Sequence, residues 1–122
     1  MKYAALLTSN ADDITAWEKL TPEEAASARA EEIPKWEALF NELGPTGVFG
    51  FSAELDAPRT SKTVRVRDGE TIVTDGPFAE TKEQIGGLIE LDADDLDAAI
   101  AIAARIPVAS RASVELRPVI EH

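Results

Sequence analysis

Asp68-Gly69 stands between KTVRVR (62–67) and ETIVT (70–74), two short runs rich in β-branched residues. A type I′ turn needs positive φ at both central positions, which glycine adopts freely and aspartate tolerates, so this pair predicts a tight hairpin. A two-residue loop sets the register: Arg67 opposite Glu70, Val66 opposite Thr71, Arg65 opposite Ile72 and Val64 opposite Val73. One face then carries Val64, Val66 and Val73, expected to turn towards a core. The other carries Arg65 and Arg67, expected on a solvated outer side.

The elements around this hairpin are set by local signals. KYAALLT (2–8) is short and apolar and predicts a buried first strand, with the turn-prone SNADD after it. Thr21-Pro22-Glu23-Glu24 combines a capping threonine, a proline suited to the first helical position and a glutamate three residues after the cap. The helix that follows has an apolar stripe at Ile33, Trp36, Phe40 and Leu43 and ends at Gly44-Pro45. Pro34 lies inside it, where it removes a hydrogen bond and crowds the carbonyl of Ala30, so a kink or two shorter helices are expected.

TGVFGFSAEL (46–55) predicts a second strand with Val48 as a core candidate, and GGLIELDA (86–93) a later one. Asp94 is expected to cap a second helix with an apolar side of Leu96, Ile100, Ala103 and Ala104, ended by Pro107. ASVELRPV (112–119) predicts the last strand. With the hairpin set aside, the order is β-α-β-β-α-β, the split βαβ or ferredoxin-like pattern. The expected fold is therefore α+β: an antiparallel sheet with two helices on one face and an inserted hairpin. A sheet with one open face in so short a chain favours burial against a second copy, so a twofold homodimer is expected.

Composition narrows the function. One domain, residues 1–122, is expected from the length. Twelve bases against 23 acids give a net charge of −11, which repels phosphate backbones and argues against nucleic-acid binding. The absence of cysteine excludes disulfides and thiolate chemistry. The N-terminal apolar run is too short for a signal-peptide core or a membrane span, so a cytoplasmic protein without membrane association is expected. The one histidine, His122, is terminal, which leaves histidine-based catalysis without a basis inside the fold.

The most specialised stretch is TDGPFAETKEQIGG (74–87). Its glycines match neither phosphate-cradle spacing, and Asp75, Glu80 and Glu83 lack the spacing of a metal loop, so neither a cofactor nor a metal is expected. Asp75-Gly76-Pro77 has turn chemistry, with Phe78 expected to anchor it and residues 79–84 to form one helical turn before Gly86-Gly87. Asp75 then either caps the amides of Phe78 and Ala79 or keeps a free carboxylate for acid–base work.

The hairpin run KTVRVRDG with VTDGPFAETKEQIGG, the opening YAALL, LDAAIAIAA (96–104) and the closing VELRPV together closely resemble the DGPF-domain branch of the YCII-related family. The resemblance implies a dimeric α+β barrel with a cleft between subunits that takes a small-molecule ligand or a protein partner. It also suggests an association with extracytoplasmic-function sigma factors. The enzymatic alternative it implies is a lyase, isomerase or hydrolase of small polar metabolites with Asp75 as general acid or base. Arg65, Gly76, Phe78 and Lys82 are the candidate ligand-binding residues, Arg65 or Lys82 holding an anionic group. The chain departs from the family's suspected Asp–His pair, because its first long helix carries no histidine.

Overall fold

A computed structural model describes residues 1–77 and 83–122. The elements run β1 (Lys2–Asn10), α1 (Ala11–Glu18), α2 (Pro22–Leu43), β2 (Phe49–Glu54), β3 (Lys62–Arg67), β4 (Glu70–Asp75), β5 (Glu83–Asp92), α3 (Leu96–Ala103) and β6 (Ser113–Pro118). Four strands form one antiparallel sheet in the order β2-β5-β1-β6, and β3 and β4 form a separate two-stranded sheet. Without the hairpin and α1, this is the ferredoxin-like α+β arrangement that the element order predicts.

One face of the sheet carries the core. Tyr3 and Ala5 of β1 sit opposite Leu91 and Ile89 of β5, and all four are buried. Leu39 of α2, Ala99 and Ala103 of α3, and Ile106 and Val108 close over them. Alternation sends Ala4, Leu6, Leu88 and Glu90 to the opposite face, and each of them is half-buried.

α2 begins as its sequence signals require. Glu24 N–H donates to Thr21 Oγ1 at 3.1 Å, and Thr21 N–H donates to Glu24 Oε1 at 3.0 Å, completing a capping box. The helix then runs unbroken through Pro34, which excludes the second of the two expectations, a division into two shorter helices. Pro34 and Ala30 are both exposed, so the carbonyl that the proline cannot serve lies on the solvent side of the helix. Leu39 is the one residue of the helix that is fully buried. Trp36 stacks on Phe40, and Phe40 meets Phe49 edge-on at 4.9 Å between ring centroids, extending the core towards β2. Val48, the expected core residue, is half-buried and precedes the strand.

The segment expected as a turn after β1 is instead helix α1, capped by Asn10, whose side chain accepts from Asp13 N–H at 2.8 Å. Asparagine and aspartate serve turns and helix starts alike, so SNADD alone does not separate the two. α1 buries nothing; Arg29 of α2 covers the Trp17 ring at 5.2 Å and donates to Glu54 at 3.0 Å.

Two further expectations need correction. α3 is capped by Asp95, not Asp94: its carboxylate accepts from Ala98 N–H at 2.8 Å. Its buried stripe is Ala99 and Ala103, small enough to bring the helix close to the sheet, while Leu96 and Ile100 remain about half exposed. The hairpin register is the expected one, and Asp68 (φ 53°) and Gly69 (φ 77°) supply the two positive-φ positions. However, Val64, Val66 and Val73 are 61%, 60% and 58% exposed, so their face lies outside the core formed by the described residues. The hairpin extends beyond the sheet, and periodicity gives the alternation of faces without saying whether anything covers either one.

Candidate functional site

Two of the residues singled out in the sequence, Asp75 and Gly76, lie at the root of the hairpin. Continuing the ladder from Val64–Val73 pairs Thr63 with Thr74 and Lys62 with Asp75. Lys62 Nζ donates to Asp75 Oδ1 across this last rung, and both side chains face solvent, 61% and 88% exposed. By alternation this ion pair lies on the same face as Val64, Val66 and Val73. Arg65 projects from the other face, opposite Ile72, and is half-buried.

Gly76 closes the root. Its φ of 84° belongs to the left-handed region, which turns the chain away from β4. Its N–H donates to Ser61 O at 2.8 Å, and its carbonyl accepts from Thr63 Oγ1 at 2.8 Å. The turn that Asp75-Gly76-Pro77 predicts is thus fastened to β3 by backbone and side chain together. Phe78 and Lys82, and the amides of Phe78 and Ala79 as targets for Asp75, lie outside the described residues. Glu83 and Gln84, expected in a short helical turn, already belong to β5.

The structure therefore brings Asp75, Gly76 and Lys62 together and sets Arg65 on the reverse side of the same ladder. The register as read to Val64–Val73 stops short of Lys62, which carries no signal of its own. Carried two residues further, it names the partner of Asp75.

Two hollows on the surface lie elsewhere. One, of about 420 Å³, is apolar and lined by Leu96, Ile100, Ala103, Ala104, Val114 and Leu116. The other, of about 350 Å³, lies between Thr46–Val48 and Asp92–Asp94, with Ile102 at its floor. Neither includes a residue of the hairpin root. Among the described residues, no cluster of three or more histidine, aspartate or glutamate side chains is arranged to hold a metal ion, and no helix is long and apolar enough to cross a membrane.

The main sheet has a second face, opposite the core. Ala4, Leu6, Leu88 and Ala53 make its centre, and Lys2 pairs with Glu90 across it at 3.6 Å. Phe51, Leu55 and Ile85 add exposed apolar side chains along β2 and β5, towards the end from which the hairpin springs. An apolar sheet face and a polar hairpin root are thus the two surfaces that the fold sets outside the core.

Comparison with known proteins finds matches along nearly the whole chain. The chain is 35% identical over 120 residues to an uncharacterised protein of Rhizobium meliloti (strain 1021), an alignment that covers 97% of this chain and 91% of the relative. The family model for the YCII-related domain matches residues 1–122, its whole length. The chain belongs to the YCII-related domain family.

Proposed function

We propose that this protein is a homodimeric binding domain, in which the open sheet faces of two copies enclose a cleft for a small ligand. The observation that carries this reading is area. The chain exposes 8560 Å². A compact monomer of 13.1 kDa exposes about 6,400 Å² by the usual scaling with mass. The surplus, roughly 2,200 Å², is of the size that one partner contributes to a large, permanent interface.

In this reading, Asp75 and Arg65 recognise polar groups at the mouth of the cleft and transfer no proton. The Asp75 carboxylate already has Lys62 as its partner and faces solvent.

Two measurements test the proposal. Light scattering across the micromolar range should give twice the chain mass, and a monomer throughout would end this reading. A thermal-shift screen of small metabolites should then find compounds that raise the melting temperature of the wild-type dimer and have a weaker effect on an Arg65→Ala variant. A dimer that no compound stabilises would leave the association standing and remove the ligand.

A further inference from the structure

Resting on that dimer, we propose that the valine face of the β3–β4 hairpin is a docking surface for a second copy of this chain, so that each copy holds the other with an arm. The motive is energetic. A lone two-stranded hairpin is at best marginally stable in water and needs a packed face. Its ladder is nevertheless regular over six rungs, from Lys62–Asp75 to Arg67–Glu70.

The two faces of the arm are used unequally. Thr63 and Arg65, on one face, are half-buried. Val64, Val66 and Val73, on the other, are each about three-fifths exposed and lie outside the core formed by the described residues. Burying the exposed part of three such side chains removes apolar area from water and favours a fixed arm over a free one.

Charge identifies the occupant. The chain as a whole carries −11, so two copies repel each other over most of their surface. Residues 62–75 hold three bases (Lys62, Arg65, Arg67) and three acids (Asp68, Glu70, Asp75), and are neutral overall. An apolar face on a charge-balanced arm is where two copies approach at the lowest electrostatic cost. A basic partner would instead engage the acidic remainder of the surface. The surplus exposed area that carries the dimer is also enough to include this contact.

Hydrogen–deuterium exchange on the unmodified chain, followed through a concentration series, tests the arm directly. The amides of 62–75 should lose protection as dilution dissociates the dimer, while those of β1 and β5 keep theirs. If dilution yields monomer and the hairpin amides exchange equally fast in dimer and monomer, the arm is not a docking surface and the dimer stands without it. If the chain is monomeric throughout, the dimer itself fails and the arm with it. As a second measurement, the double variant Val64→Asp/Val66→Asp should weaken self-association at least tenfold while the far-ultraviolet spectrum of the main sheet and helices is kept. Unchanged association of that variant would overturn the proposal.

Discussion

Lys62 and Asp75 close the root of the hairpin as an ion pair on the rung where β3 begins and β4 ends. Both groups lie in water, so their attraction is screened and offset by the cost of ordering two flexible side chains. Lys62→Met or Asp75→Asn should therefore change the unfolding free energy by only about 0–1 kcal/mol, as measured by urea titration. A loss of several kcal/mol would mean that the pair is buried in the assembled protein.

α2 offers a sharper contrast. Leu39 is buried against the sheet, whereas Ile33, in the stripe read from the sequence, is about half exposed. Leu39→Ala should cost about 2–5 kcal/mol, the range for emptying a core leucine. Ile33→Ala should cost well under half as much, and equal losses in denaturant titrations of the two variants would contradict the observed burial.

The capping box gives a pH signature. The backbone hydrogen bond from Thr21, with its side chain second, holds Glu24 below its ordinary value of 4.5. A carboxylate depressed on folding stabilises fully above its unfolded pKa, and that contribution is lost as pH falls through the lower folded value. The stability gap between wild type and Glu24→Ala should accordingly be widest near neutrality and narrow below about pH 4.5. A gap independent of pH in acid-titrated thermal melts would exclude an ionised Glu24 as its source.

Neighbouring glycines in β5 should behave differently. A Cβ on Gly87 would meet Leu7 Cδ1 at 3.1 Å and Ala53 O at 3.2 Å, while one on Gly86 finds nothing nearer than Leu7 O at 4.0 Å. Gly87→Ala is expected to cost about 1–3 kcal/mol through overpacking. Gly86→Ala should be close to neutral in the same calorimetric measurement.

The features legible in the sequence were those decided locally. The hairpin register follows from two residues, Asp68 and Gly69, whose backbone preferences admit one short loop. The capping box at Thr21–Glu24 is likewise complete within four residues. What escaped was decided by tertiary contact. Nothing in the alternation of Val64, Val66 and Val73 reveals that their face lies open, because alternation reports two faces and not what lies beyond them. The start of α3 shifted between adjacent aspartates, since Asp94 and Asp95 are equally good caps until packing sets the register. Helix α1 was lost because Asn10 and its acidic neighbours suit a turn as well as a cap. At the candidate site, Asp75 and Gly76 stood out by their chemistry, whereas Lys62 is distinguished only by its rung on the ladder.

Leu55 N–H donates to Gly86 O at 2.8 Å, so the chain leaves the main sheet and returns to it across a single hydrogen bond. The hairpin lies within the connection from β2 to β5, two strands that already pair where that connection leaves β2. The cost of closing such a connection rises slowly with its length, by about 0.6 kcal/mol for each doubling. Changes in the length of this connection should therefore cost the fold little while β2 and β5 keep their pairing. The hairpin is in that sense an appendage of the core and not one of its supports.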